Sequence, residues 1–150
     1  MDMTGEERIN APRDVVWAAL NDPEVLKRCI PGCQSLEMQS PTELAATVKV
    51  KIGPVSATFN GEVTLTNVEA PESYTISGEG KGGVAGFAKG AADVALKDEG
   101  AETVLQYVVK AQVGGKLAQL GARLVNTTSQ KLAQQFFADF NAVVSEKAAQ

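Results

Sequence analysis

The stretch LAATVKVKIGPVSATFNGEVTL, Leu44 to Leu65, decides the architecture of this chain, because two runs of period two meet in it at a Gly-Pro turn. Before the turn, Leu44, Ala46, Val48, Val50 and Ile52 alternate with Ala45, Thr47, Lys49 and Lys51; after it, Val55, Ala57, Phe59, Gly61, Val63 and Leu65 alternate with Ser56, Thr58, Asn60, Glu62 and Thr64. Successive side chains of a strand point to opposite faces, so this pair has one apolar and one polar face. It is an antiparallel hairpin in a sheet with one wet side.

The pattern extends in both directions. Ser73 to Gly80, Phe87 to Lys97 and Thr103 to Val113 repeat the alternation between the turns EAPES and KDEGAE, and with a strand starting near Ser35 they predict six consecutive strands. Upstream, residues 3–9 predict a short opening strand. NAPRDVVWAAL predicts a helix with Asn10 or Ala11 as cap and Pro12 in the first helical position, where its missing N–H costs nothing. Asp22 caps a second short helix that starts at Pro23 and ends near Cys29. Downstream, Lys116 to about Glu146 contains no proline and one glycine, with Leu117, Leu120, Leu124, Thr128, Leu132, Phe136, Phe140 and Val143 three to four apart. That spacing predicts one helix, roughly 45 Å long at about 1.5 Å per residue. The expected fold is α+β: a curved seven-stranded antiparallel sheet around a long C-terminal helix, with two short helices after the first strand.

Composition narrows the function. A chain of 150 residues, 44% hydrophobic, suits one core, so residues 1–150 are expected to form a single domain. With 14 basic and 18 acidic residues the charge of -4 provides no field for gathering phosphates, which argues against nucleic acid. MDMTGEER is acidic and polar where a signal peptide is basic and then apolar, and no window approaches the roughly 18 apolar residues of a membrane span; a cytoplasmic protein is expected. The chain has no histidine, which removes histidine-based nucleophile systems and histidine-ligated zinc. No catalytic residue, metal or cofactor is expected.

Two cysteines, Cys29 and Cys33, bracket Ile30-Pro31-Gly32. Structural zinc needs four ligands and a thioredoxin-like pair needs a two-residue gap, so a turn with the thiols packed as small hydrophobes is the better reading. Asp98, Glu99 and Glu102 flank a turn and read as its solvated rim, while Asp93, Tyr74, Tyr107 or a lysine are the remaining acid–base candidates. Lys116 and Arg123 sit near the start of the long helix, where cations oppose the helix dipole. Either a ligand or lipid head group compensates them, or their placement is incidental.

In a meander, alternate turns share one end of the sheet. KIGPV with Gly53 and Pro54, EGKGGVAG with Gly82 and Gly83, and VGGKLAQLG with Gly114 and Gly115 therefore lie together, and Cys33 joins them if the second and third strands pair. These glycines either permit loop movement at a cavity mouth or simply make tight turns. Small residues are dense in the late strands: Gly78, Gly80, Gly86, Ala88, Gly90, Ala91, Ala92 and Ala95. Either they leave a cavity lined by Phe59, Val63, Tyr74, Ile76, Phe87, Leu105 and Tyr107, or they let the helix approach the sheet closely. A bound apolar molecule would also lie against Leu117, Leu120 and Leu124.

NDPEVLKRCIPGCQSLE, VKVKIGPVSATFNGEV and VGGKLAQLGARL resemble the recurrent blocks of the carbon monoxide dehydrogenase G-subunit family, within the START-like helix-grip superfamily, and the likeness runs from about Asn10 to Phe140. The resemblance implies a sheet gripping a helix around a hydrophobic cavity that would suit a quinone or similar isoprenoid lipid. It also implies an accessory role beside molybdenum hydroxylases of the carbon monoxide dehydrogenase type, with peripheral contact at the inner face of the membrane. Assembly or docking without a ligand, and a small cyclase or hydrolase, are the alternatives.

Overall fold

The alternating runs become seven strands, β1 (Asp2–Ile9), β2 (Cys33–Ser40), β3 (Glu43–Ile52), β4 (Val55–Glu69), β5 (Ser73–Lys81), β6 (Phe87–Glu99) and β7 (Glu102–Gly114), in a computed structural model that describes residues 1–149. The helices are α1 (Arg13–Leu20), α2 (Pro23–Cys29), α3 (Lys116–Gln119) and α4 (Ala122–Ala148). All strands join one antiparallel sheet in the order β1-β7-β6-β5-β4-β3-β2. The hairpin at Gly53-Pro54 has the expected register, with Leu44 opposite Val63, Val48 opposite Phe59 and Ile52 opposite Val55.

The start of α2 follows the expected rule: Asp22 accepts from the Glu24 N–H at 3.0 Å, with Pro23 in the first turn. The first short helix departs from expectation. Pro12 is its cap, in extended backbone (φ -63°, ψ 156°), so the helix begins at Arg13 and has no side-chain cap. Asn10 lies two residues before that cap and donates its N–H to the Asn141 side-chain oxygen at 3.0 Å. The long C-terminal helix is two helices. Gly121, the single glycine of that stretch, takes φ 89°, a left-handed conformation that ends the first segment and leaves α4 with 27 residues, about 40 Å.

The dry core lies under the C-terminal half of α4. Phe140, Val143 and Val144 pack with Ile9, Val16, Leu20, Val25 and Cys29 from β1, α1 and α2, and with Tyr74, Val94, Leu96 and Leu105 of the sheet. Buried Thr103 donates its hydroxyl to the Ala11 carbonyl at 2.8 Å, tying the entry to α1 onto β7. Aromatic contacts carry the packing toward the middle of the helix: Phe136 stacks on Phe140 (5.6 Å between centroids), Phe137 stacks on Tyr107 (5.3 Å), and Trp17 meets Tyr74 edge to face (5.3 Å).

Candidate functional site

Where α4 leaves the core, its underside and the concave sheet enclose a cavity of about 320 Å³. Its roof is Ala133, Phe136 and Phe137 of α4, and its floor is Val63, Leu65, Tyr74, Ile76, Ala92, Val94, Leu105, Tyr107 and Val109, with Met3 from β1. Leu20, Asn21, Leu26 and Ile30 around the α1–α2 junction, with Leu36, Met38 and Leu44 of β2 and β3, form the remaining wall. Met38, 37% exposed, and Asn21, also exposed, put the open side next to β2.

The lining is apolar apart from three side chains. The Asn21 amide donates to the Trp17 carbonyl at 2.9 Å. Burial drives the Tyr74 hydroxyl far above its ordinary pKa, and raises Tyr107 with help from the nearby Glu7 carboxylate, so both stay neutral at ordinary pH. Glu7 itself is on the inner side of β1 but does not line the cavity. No carboxylate or lysine among the described residues lines it, which leaves the Tyr74 and Tyr107 hydroxyls as the acid–base groups in its wall.

Of the expected lining residues, Val63, Tyr74, Ile76, Leu105 and Tyr107 come together here, whereas Phe59, Phe87, Leu117, Leu120 and Leu124 do not line this cavity. Phe87 pairs across to Lys81 and Gly114, so alternation sends it to the outer face with Lys89 and Asp93; the sequence reading inverted that strand end. Phe59 has the expected parity, but its ring covers Gly82 at the turn end of the sheet. Leu117 is buried in the four-residue α3, and Leu124 sits beside Gly53, both beyond the break at Gly121 or one turn from it.

Gly53, Pro54, Gly82, Gly83, Gly114, Gly115 and Cys33 do gather at one end, as the strand order requires, yet none of them lines the cavity. The turns there close on one another. A Cβ on Gly53 would meet Leu124, one on Gly82 the Phe59 ring, and one on Gly86 the backbone of Gly114 and Gly115. A Cβ on Gly80 would find only Phe59 Cβ, at 3.8 Å, and one on Gly78 meets its neighbour strand at Val63 and Glu62. At Gly80 no atom of α4 comes within 4 Å of the added Cβ.

Sequence reasoning missed Met3, Leu26, Ile30, Leu36, Met38, Ala133, Phe136 and Phe137 as lining. Leu65, Val94 and Val109 were accessible from alternation alone, being in phase with Val63, Ala92 and Tyr107. The α2 and β2 residues carried no such signal, because their position depends on how a seven-residue helix docks.

The remaining chemistry is structural. Cys29 and Cys33 are free thiols whose pKa values are raised, chiefly by burial, with Asp139 adding to Cys29 and Lys27 opposing at Cys33. Asp93 accepts the Thr75 hydroxyl at 2.8 Å on the outer face, Asp98 holds the Gly100 N–H at 2.9 Å, and Glu102 pairs with Arg8 at 3.2 Å. Among the described residues no group of three Cys, Asp or Glu side chains could hold a metal, and no helix is long and apolar enough to cross a membrane.

Known proteins share this geometry. A conserved protein from Geobacillus kaustophilus has the same fold at TM-score 0.91 with 27% identity, over 97% of this chain and 96% of that one. A START superfamily protein from Mycobacterium smegmatis gives 0.74 at 14% identity (97% of each chain), and the Zhui aromatase/cyclase from Streptomyces sp. R1128 gives 0.68 at 10% (98% and 94%). The last two likenesses concern the fold alone. Among curated proteins none matches in sequence. The family profile of the carbon monoxide dehydrogenase G subunit (CoxG) matches residues 5–145.

Proposed function

The chain belongs to the CoxG family, that of the carbon monoxide dehydrogenase G subunit, and from that premise we propose that it is a non-enzymatic carrier whose cavity takes an apolar small molecule of the quinone or isoprenoid type. The observation that carries the reading is the cavity itself: about 320 Å³, roofed by Phe136 and Phe137, without a carboxylate or lysine in its wall among the described residues. Ligand pockets span roughly 300–1,000 Å³, so this one takes a ring system or a few isoprene units and not a whole long-tailed lipid. The rest of such a molecule would follow the half-buried inner surface of Ala57 and Phe59 or leave past Met38.

Family membership supports a molybdenum hydroxylase of the carbon monoxide dehydrogenase type as the partner that receives the cargo. Peripheral membrane contact is part of the same proposal. Val84 stands 86% exposed at the tip of the turn between β5 and β6, with Phe87 37% exposed beside it. Residues 51–56, 81–87 and 114–123, which meet at that end, carry Lys51, Lys81, Lys116 and Arg123 and no carboxylate. An apolar tip ringed by cations suits an anionic lipid surface, in a chain whose net charge is otherwise negative.

Native mass spectrometry of protein purified from cells without detergent tests the carrier role. A non-covalent adduct that disappears in Ala92→Trp, which fills the cavity from the middle of β6, is the expected result; wild-type protein that is empty after gentle extraction and takes up no added quinone would sink it. Co-purification of the dehydrogenase with Ala92→Trp as with wild type would assign docking to the surface and leave the cavity to the ligand.

A further inference from the structure

On α4 the cavity roof is only one end of a longer stripe. Ala133, Ser129 and Asn126 are three to four residues apart, so Asn126 lies on the same side of the helix as Ala133, two turns and about 10 Å nearer the glycine turns. The Asn126 Oδ1 atom is buried and has no hydrogen-bond partner, the only such side-chain atom among the described residues. Folded proteins pair such groups almost without exception, because a buried carbonyl left alone forfeits its hydration. Asn126 does not itself line the cavity, and an orphan two turns beyond its roof marks a place where a longer ligand can supply the missing donor. Ser129, the intervening polar residue, has its hydrogen committed to the Val125 carbonyl at 2.8 Å, which leaves its oxygen as an acceptor too. On the inner sheet face nothing but Phe59 comes within 4 Å of the place of a Gly80 side chain.

We infer that Asn126 is the polar end of the ligand site, its carbonyl oxygen accepting a hydrogen bond from a hydroxyl on an elongated apolar molecule whose body lies between Phe136 and the sheet. The inference rests on the carrier reading and narrows it: the preferred ligand bears a donor, as a quinol or an isoprenoid alcohol does, and an otherwise equal molecule without one is bound less well. The distance fits, since about 10 Å from Ala133 to Asn126 is the span of a ten-atom chain segment or less.

Titration calorimetry with 1-decanol and with its methyl ether tests this in wild type, Asn126→Leu and Asn126→Ala. Wild type should bind the alcohol about five- to tenfold more tightly than the ether, the factor one hydrogen bond supplies. Both variants should bind the two probes equally, and Asn126→Leu should melt at a higher temperature because the orphan is gone. The same alcohol preference in wild type and in both variants, or no preference in wild type, overturns the assignment while leaving the carrier role standing. Failure of wild type to bind either probe overturns both.

Discussion

The two ends of α4 face the same sheet and meet it differently. At the C-terminal end Phe140 and Val144 are completely buried among Ile9, Val16 and Leu105, so side chain meets side chain. At the N-terminal end Leu124 and Thr128 are only half-buried, Leu124 sits beside Gly53 of the β3–β4 turn, and Gly86 meets the backbone of Gly114 and Gly115. The cavity lies at the border between these regimes. One end of the helix thus anchors the fold, and the other is packed less completely against it. Because close packing is what couples a residue to global stability, the two ends should respond unequally to the same insult.

The largest expected effect is at the anchored end. Phe140→Ala should destabilise by about 3–5 kcal/mol, whereas Leu124→Ala should lose only about 1 kcal/mol, both read from urea unfolding. Equal losses would break the contrast. Gly86→Ala comes next: Gly86 has φ 107° and its added Cβ would run into the Gly114 carbonyl, so a loss of about 2 kcal/mol is expected although the residue is at the less packed end. A negligible loss would mean that the turns do not hold that end closed. Filling the border by Ala92→Trp should abolish ligand uptake while changing stability by about 1 kcal/mol or less, since the added volume enters existing space; a severe loss would show the cavity to be collapsed in solution.

Alkaline pH sharpens the comparison further. Tyr74 belongs to the anchored core and its pKa is raised by burial above the ordinary 10.0. The unfolded chain therefore releases this proton first, so the stability Tyr74 provides is complete below pH 10 and falls as pH rises past it. Melting temperature should drop above about pH 10 in wild type, and less steeply in Tyr74→Phe. The smallest change in stability is expected at the exposed tip. Val84→Asp should stay within about 0.5 kcal/mol of wild type yet reduce co-sedimentation with phosphatidylglycerol vesicles. Undiminished sedimentation would remove the tip from the membrane reading.

Period and punctuation made most of the architecture legible. The alternation across Gly53-Pro54 set the faces of β3 and β4, and Asp22-Pro23 marked the start of α2, because both signals are local. What escaped was relative height. Residues such as Phe59 and Leu124 have the correct inward parity, but parity does not say how far along the sheet a helix residue will sit, and the break at Gly121 moved the start of α4. The cavity consequently lies nearer the core than the glycine turns suggested, and its α2 wall depends on docking that no local pattern encodes. Phe87 was misread for a simpler reason: a strand end fixes its phase only through its neighbours Ala88 and Gly90, whose small side chains give little contrast between faces.

The strand order has a kinetic consequence. β1 is the first strand made, but its sole partner is β7, with Ile9 opposite Thr103 and Met3 opposite Val109. Ninety or more residues must be organised before that pairing can form, and closing so long a loop is entropically unfavourable until the meander provides an edge to receive it. Until then Ile9, Ala11 and Met3 have no sheet to cover, and both the sealed core and one wall of the cavity are incomplete. The ability to hold a guest should therefore appear at the end of folding, when the oldest part of the chain finds the newest strand.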